Sequence, residues 1–269
     1  MINKKLLRFG ERELKLIFAF EERKQRIFSI SDAKKTLGGS DASVKNVLKR
    51  LAAKRRVIRI ERGKYLFAPM ESGKEGLWSE DSFAAVPYLE GKGDYYIGLL
   101  TALHYWGMTE QIPIVVYVIT KKKKKSMEAF GARYVFVNMK LGNSEEKEFA
   151  GTKVKISSRE QTILDCLAHP EYSLGIAGIS QGISSVRKEL DWPKLVRLCL
   201  KEKEVVRRRL GYLLELIGEG KHARKLKKRF KGLVWLDPSS EKMRLGYSKE
   251  WGLILNVSKE RLLEYQRGY

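Results

Sequence analysis

The sequence has no long apolar run. None of its segments approaches the ~20 consecutive apolar residues that a membrane-spanning helix requires. The N-terminal segment also has no small-residue cleavage site behind an apolar stretch, so it lacks the pattern of a secretory signal. We therefore expect a soluble, cytoplasmic protein without a membrane partner.

Cysteine and histidine are scarce, at two and three residues in a chain of 269. Cys166 and Cys199 lie in apolar stretches, where we interpret them as buried thiols of a reducing cytoplasm; nothing in their spacing argues for a disulfide. The histidines are scattered, which makes a zinc site improbable. Dinucleotide, phosphate-loop and nucleophile-elbow motifs are also missing, so we expect no cofactor, no metal and no enzymatic activity.

Charge is abundant and unbalanced, with 54 Lys and Arg against 32 Asp and Glu and a formal net charge of +22. Asn and Gln are sparse, and this bias is typical of hyperthermophile proteins. A general enrichment would be uniform, but residues 1–69 carry 19 basic and 7 acidic residues, residues 70–171 carry 13 and 14, and residues 172–269 carry 22 and 11. Two basic ends around a neutral middle favour a polyanionic partner, most often nucleic acid.

Local patterns in residues 1–70 predict a winged helix-turn-helix domain. Apolar residues recur with helical spacing, serines stand where N-caps are expected, and a Gly-Gly pair separates two helices. Two short strands around a glycine turn then predict a β-hairpin. The predicted elements are helices over 12–22, 32–37 (capped by Ser31) and 41–55 (capped by Ser40), an extended stretch over 26–30, and strands over 57–60 and 65–67.

The helix over 41–55 is the predicted recognition helix, because its counterpart in such domains enters the major groove and reads base edges. Asn46 has the amide that can pair with adenine through two hydrogen bonds, and the basic side chains can reach phosphate or guanine. The alternatives are an ordinary solvated helix, whose end favours Lys and Arg anyway, and a winged helix that binds protein. The predicted DNA-contacting residues are Ser40, Ser43, Lys45, Asn46, Lys49, Arg50, Arg55 and Arg56, with Arg62 and Lys64 at the wing.

The rest of the chain predicts a connector over 71–93 and a mixed α/β domain over 94–269, with a further boundary near 190 left open. Together with the N-terminal domain, this gives an α/β (α+β) fold class. The predicted helices are 95–106, 159–168, 192–200, 204–217 and 222–230, and the predicted strands are 112–120, 133–139, 153–156, 232–236 and 251–257.

Two segments carry a family resemblance. They are Tyr96-Ile-Gly-Leu-Leu-Thr-Ala-Leu-His-Tyr-Trp-Gly-Met-Thr-Glu-Gln-Ile-Pro113, with a Val/Ile-rich strand behind it, and Ile156-Ser-Ser-Arg-Glu-Gln-Thr-Ile-Leu-Asp165. After a winged helix, they resemble the AbiEi family of antitoxins and transcriptional regulators of abortive-infection systems, over roughly the first two thirds of the chain. The resemblance implies binding to inverted repeats in a promoter, repression of its own operon and an antitoxin function of the C-terminal domain. In archaeal relatives it implies activation by recruiting basal transcription factor B.

The basic C-terminal third departs from a plain antitoxin and predicts a second positive surface. Arg207-Arg-Arg209 and the run over 224–229 lie on predicted helices, and several phosphate contacts would make binding strong and salt-sensitive. The residues of this predicted surface are Arg224, Lys225, Lys227, Lys228 and Arg229. Glu160 and Asp165 are five residues apart and do not share a helix face well, so we interpret them as a cap and a structural hydrogen-bonding or ion-pair partner.

These observations predict a sequence-specific, double-stranded DNA-binding transcriptional regulator that acts at a promoter. The alternative is an antitoxin that neutralises a nucleotidyltransferase toxin, with autoregulatory DNA binding as a secondary property. The expected partners are DNA and either a basal transcription factor or a cognate toxin, and the chain is expected to be a monomer or a homodimer. A nucleic-acid enzyme is disfavoured, because no catalytic constellation occurs.

Overall fold

The computed structural model of the chain describes residues 8–68, 70, 82–91, 93–129, 131–149 and 152–264. Over these residues the fold is mixed α/β, as the sequence predicted. The helices are α1 (Glu11–Glu22), α2 (Ile30–Leu37), α3 (Asp41–Ala53), α4 (Val86–Glu90), α5 (Leu99–Tyr105), α6 (Arg159–Ala168), α7 (Gly175–Ser185), α8 (Trp192–Cys199), α9 (Glu204–Leu216), α10 (Gly220–Arg224) and α11 (Lys259–Leu262). The strands are β1 (Ile27–Ser29), β2 (Val57–Glu61), β3 (Lys64–Phe67), β4 (Tyr95–Ile97), β5 (Val115–Thr120), β6 (Met127–Ala129), β7 (Ala132–Asn138), β8 (Ser144–Phe149), β9 (Thr152–Ser157), β10 (Val234–Trp235), β11 (Gly246–Ser248) and β12 (Leu253–Leu255).

The chain divides into two compact units. The first consists of Met1–Asp94, Lys124–Val135 and Lys147–Val154, and the second of Tyr95–Lys123, Phe136–Glu146 and Lys155–Tyr269. Most of the connector predicted over 71–93 lies outside the described residues, and its described part contains α4. The domain boundaries predicted from the sequence stay a prediction.

The first unit begins with three helices and a small antiparallel sheet in the order β1-β3-β2. Apolar side chains at helical spacing on α1 and α3 turn inward and meet the apolar residues of the sheet, as amphipathic helices do when they cover a core. The buried cluster consists of Leu16, Ile17, Phe20, Phe28, Ala33, Leu37, Val44, Val47, Leu48, Leu51, Val57 and Phe67.

The start of α2 differs from the sequence prediction. Ser29, and not Ser31, is the N-cap: its Oγ accepts the Asp32 N–H at 3.1 Å, and the Asp32 carboxylate accepts the Ser29 N–H at 2.8 Å. This reciprocal pair is a capping box, which satisfies two main-chain donors at once. The helix therefore begins at Ile30, directly after β1. Gly38, at φ 64°, ends it in the left-handed region that favours glycine.

A six-stranded sheet has the order β6-β7-β5-β4-β9-β8. Its strand β4 corrects the predicted helix over 95–106, of which only α5 is helical. Residues 95–97 pair instead with β5, antiparallel, and Ile97 pairs in parallel with Ile156 of β9. Gly98 separates strand from helix, and a Cβ there would lie 2.6 Å from the Ile119 side chain. The side chains of Ile119 and Tyr96 therefore pack closely against the backbone of Gly98.

The helical part of the second unit is built around α6 and α9, whose residues are largely buried. A three-stranded sheet in the order β10-β12-β11 follows near the C-terminus. The strands β6, β8 and β11 were not predicted; the sequence of β8, Ser144-Glu-Glu-Lys-Glu-Phe149, is mostly charged and has no apolar alternation. Cys166 and Cys199 are buried free thiols, which confirms that part of the sequence interpretation.

The helix predicted over 222–230 is shorter than expected, because α10 ends at Arg224. Carbonyls beyond this point accept hydrogen bonds from arginine side chains on α9. Arg207 Nε donates to the Leu226 carbonyl at 2.6 Å, and Arg208 Nη2 donates to the Lys231 carbonyl at 2.6 Å. The bond from Arg207 satisfies a carbonyl group that a helix continuing to residue 230 would have bonded internally. Among the described residues, no helix is long and apolar enough to cross a membrane.

Candidate nucleic-acid interface

Helix α3 has one buried and one exposed face. The Ser40 Oγ caps its N-terminus. Its buried face packs in the first unit's core and consists of Val44, Val47, Leu48 and Leu51. On the other side, four of the predicted DNA-contacting residues are exposed. These are Lys45, Asn46, Lys49 and Arg50. One rigid helix therefore holds an amide and three cations on its solvent side.

The two serines predicted as DNA contacts take part in the local structure. Ser40 Oγ accepts the Ser43 N–H at 3.3 Å and so caps α3. The Ser43 hydroxyl accepts a hydrogen bond from Arg12 Nη1, and Arg12 Nη2 donates to the Gly38 carbonyl at 3.1 Å. Arg12 of α1 thus ties the turn between α2 and α3 to the start of α3. The primary role of Ser40 and Ser43 is to position the helix.

Glu13 supports the same helix from α1, and the sequence reasoning missed it. Its carboxylate is only 2% exposed, yet Oε1 lies 3.1 Å from Arg50 Nε and Oε2 bonds Lys54 Nζ. Oε2 also accepts the Gly10 N–H at 2.8 Å. The Arg50 side chain is still 60% exposed. The pairing with Glu13 therefore leaves most of the Arg50 side chain accessible to solvent. A Glu at the third position of a helix predicts a capping role. The sequence around Glu13 gives no sign that cations from another helix pair with it.

The hairpin β2–β3 presents one clearly exposed cation at its turn. Gly63 has φ 78°, which only glycine adopts at low cost, and the preceding Arg62 is exposed. Lys64 begins β3 and is half-buried. Of the two predicted wing residues, Arg62 is the one whose side chain lies fully at the surface.

The adjacent arginines after α3 lie in opposite environments. Arg55 is exposed and has φ 56°, a left-handed conformation that reverses the chain direction before β2. Arg56 is 3% exposed, and its burial lowers the pKa of its guanidinium, an effect opposed by the carboxylate of Glu21. The prediction of Arg56 as a phosphate contact is therefore wrong, because its side chain is buried in the fold and does not reach solvent.

The predicted second basic surface is partly neutralised. All five of its residues are exposed, but Lys227 lies 3.0 Å from a Glu215 oxygen and also pairs with Glu250, while Lys228 pairs with Glu204. These hydrogen bonds to Glu250 and Glu215 raise the pKa of Lys227. Within the described residues no carboxylate pairs with the other three, Arg224, Lys225 and Arg229. Carboxylates therefore divide the continuous cationic run of the sequence.

The run Arg207-Arg-Arg209 does not add a positive surface. Arg208 is 3% exposed and donates to the carbonyls of Gly232 and Gly252 at 2.9 and 3.0 Å. Arg209 is 5% exposed and donates to the Leu167 carbonyl at 2.6 Å. Both guanidinium groups satisfy main-chain acceptors in the interior of the second unit, so these arginines stabilise its structure.

The comparisons with known proteins find a similar fold but no matching family. No family model matches the chain, and no curated protein matches it either. The crystal structure of the RV2827C protein from Mycobacterium tuberculosis is similar, with a TM-score of 0.66 over 96% of this chain and 95% of that one. The two sequences are 12% identical, so the similarity concerns the fold alone. The AbiEi resemblance stays a prediction.

The resembling segment over 156–165 lies in a buried polar cluster. Tyr96 Oη donates to Asp165 Oδ2 at 2.9 Å, and Gln161 Nε2 donates to Asp165 Oδ1 at 2.9 Å. This confirms the interpretation of Asp165 as a structural hydrogen-bonding partner. Burial raises the Asp165 pKa to about 7, although both hydrogen bonds oppose the rise. Ser158 Oγ caps α6, whereas Glu160 pairs with Lys194 at 2.7 Å and so ties α6 to α8.

Acidic, cysteine and histidine side chains form no group of three that could hold a metal ion in the part of the chain that the structure describes. The three histidines have other surroundings. His222, for example, stacks on Trp192 with ring centroids 5.4 Å apart.

Proposed function

We propose that the first unit contains a winged helix-turn-helix that binds double-stranded DNA, and that the protein regulates transcription at a promoter. The element order α1-β1-α2-α3-β2-β3, with the antiparallel sheet β1-β3-β2, is the order of such a domain. In that arrangement α3 is the recognition helix and the β2–β3 hairpin is the wing. A helix with its side chains is ~10–12 Å across, which matches a major groove about 12 Å wide.

The observation that carries the proposal is the exposed face of α3. Asn46 can pair with adenine, and Arg50 can pair with guanine or phosphate, from a helix whose other face is anchored in the core. Glu13 pairs with Arg50 through Nε, and the Arg50 side chain is still 60% exposed. Such preorganisation lowers the ordering cost of a base contact.

Charge supports the same function. Residues 1–69 carry 19 basic and 7 acidic residues, an excess that suits counterion release from a phosphate backbone. Arg62 at the turn of the hairpin and Arg55 directly after α3 are exposed and suit phosphate contacts. We expect Lys45 and Lys49 to contribute in the same way.

The test is a footprint and an affinity series on the DNA upstream of the protein's own coding sequence. Asn46→Ala combined with Arg50→Ala should weaken specific binding by about a hundredfold, since each base contact is worth roughly 1–3 kcal/mol. Lys188→Ala with Lys201→Ala, exposed cations of the second unit, is the matched control and should leave affinity nearly unchanged. An unchanged footprint in the α3 variant would show that α3 does not read the operator. Activation or repression is then read from in vitro transcription with and without a basal transcription factor.

A second candidate function is that of an antitoxin, and one surface favours it. Ile112 and Ile114 are 75% and 94% exposed, next in sequence to a segment that lines a cavity of about 340 Å³. Exposed apolar side chains beside a cavity fit a protein partner. Co-expression with a nucleotidyltransferase encoded nearby tests this candidate: Ile112→Asp with Ile114→Asp should abolish rescue of growth, whereas the α3 variant should retain it.

A further inference from the structure

The C-terminal sheet ends in an edge strand. In the order β10-β12-β11, strand β12 is central, and β11 pairs with it alone among the described residues. The outer side of an edge strand carries main-chain donors and acceptors that another strand can use. The sheet is firmly anchored, because Leu253 of β12 and the nearby Trp251 are both 0% exposed. The strand next to the edge is therefore anchored in the core.

Large apolar side chains occur at alternate positions in β11 and in the residues directly before it. Met243 is 61% exposed, Leu245 is 50% exposed and Tyr247 is 46% exposed. Leu245 already belongs to the ladder, since its N–H donates to the Leu255 carbonyl at 2.8 Å. An i, i+2, i+4 spacing is that of side chains on one side of a strand. In strand addition, main-chain bonds supply affinity and alternate side chains supply specificity.

The same segment is basic. Lys242, Arg244 and Lys249 are exposed, and no carboxylate pairs with any of them in the described part of the chain. The Arg244 guanidinium lies 5.3 Å from the centre of the Tyr247 ring, so charge and apolar surface are adjacent. Of the two neighbouring acidic residues, Glu250 is paired with Lys227 and Glu241 is exposed.

We propose that β11 is a docking edge for an acidic, strand-forming segment of a partner protein, in which apolar residues alternate with Asp or Glu. The partner's apolar side chains would cover Met243, Leu245 and Tyr247, and its carboxylates would meet the three cations. A second copy of this chain fits poorly, because it would bring two sets of like charges together. Duplex DNA matches the cations but not the apolar row. The proposal does not depend on DNA binding by the first unit.

The experiment uses the full-length protein and a short fluorescein-labelled peptide of alternating Val and Glu. Fluorescence anisotropy should show saturable binding at about 150 mM salt, where long-range attraction is screened. Combining Lys242→Glu, Arg244→Glu and Lys249→Glu should weaken binding by about tenfold or more. Tyr247→Ala should weaken peptide binding by about threefold or more, because it removes one of the three apolar contacts. The Tyr247 side chain is exposed, so its removal does not open the core. Hydrogen exchange should slow at β11 when the peptide binds.

Two controls separate a docking edge from general attraction to a basic protein. Lys188→Glu, Arg197→Glu and Lys201→Glu change charge equally at exposed positions of the second unit and should leave peptide affinity within about twofold. A peptide with proline in its centre, which cannot complete a ladder, should not bind. Absence of binding by the Val/Glu peptide, equal loss in both charge-reversed proteins, or binding of the proline peptide would each overturn the proposal. Displacement of the peptide by duplex DNA from β11 would assign this edge to nucleic acid and overturn it as well.

Discussion

The buried carboxyl of Asp165 makes a sharp prediction about stability and pH. Its pKa in the native protein is about 7, against an ordinary value of 3.8, because burial disfavours the charged form. Between these two pH values the native protein keeps a proton that the unfolded chain has released. Native Asp165 then binds more protons than unfolded Asp165, so its contribution to stability is complete below about pH 4 and is lost as pH rises through 7. A difference of about 3 pH units corresponds to roughly 4 kcal/mol.

The variant Asp165→Asn tests this magnitude. Asparagine is neutral at every pH, and its oxygen can still accept the hydrogen bond from Tyr96 Oη. We expect the variant and the natural protein to have similar unfolding free energies near pH 4, within the ~1 kcal/mol of one rearranged hydrogen bond. Toward pH 8 the variant should become more stable than the natural protein by about 4 kcal/mol.

Urea unfolding followed by circular dichroism from pH 4 to pH 8 measures both proteins, and the difference between them cancels the titration of all other groups. Tyr96→Phe provides a second check. It removes a hydrogen bond that favours the carboxylate, so it should move the upper end of the pH dependence to higher pH. A stability difference that is flat across this range would refute the assignment of a raised pKa to Asp165.

Three further predictions concern individual contacts. Glu13→Gln should lower the free energy of unfolding by about 1–3 kcal/mol in urea, mainly through Lys54, which is 14% exposed, whereas Arg50 is too exposed to contribute much. Gly211→Ala should lower the free energy of unfolding by about 1–3 kcal/mol or more, because its Cβ would lie 2.0 Å from the buried Trp251 ring. Gly220→Ala, whose Cβ would meet no atom within 4 Å, should be neutral or stabilising in the same urea unfolding experiment. Arg62→Ala should reduce the slope of log DNA affinity against log salt concentration by about 1, because Arg62 is exposed. Arg56→Met should leave this slope unchanged, because Arg56 is buried. Equal slopes for both variants would contradict the placement of Arg62 at the wing.

Elements of the first unit were predictable because their signals are local. Helical spacing and the glycine turns located α1, α3 and the hairpin within a few residues, and Ser40 was correctly named as the cap of α3. The misplaced cap of α2 has a non-local cause: Ser29 directly precedes the helix and Ser31 lies in its first turn, and the pairing of Ser29 with Lys64 keeps Ser29 extended. The exposed face of α3 follows from its buried face by geometry.

Other elements depended on distant parts of the chain. Tyr95–Ile97 is apolar enough for a helix, and its pairing with β5 makes it a strand instead. The charged strand β8 has no local signal, because cross-strand pairing and not apolar alternation defines it.

For the candidate site, the sequence by itself determined which helix carries an exposed amide and three cations, since spacing along a helix decides which residues share a face. Only the tertiary structure decided which cations stay available. Arg56, Arg208 and Arg209 are buried, Lys227 and Lys228 are paired with carboxylates from other elements, and Arg50 is held by Glu13 from α1. A cation's availability depends on the groups that the fold brings beside it, and these are far from it in the sequence. Charge counted along the chain therefore indicated a polyanionic partner, whereas the fold reduced the predicted second basic surface and revealed the edge of β11.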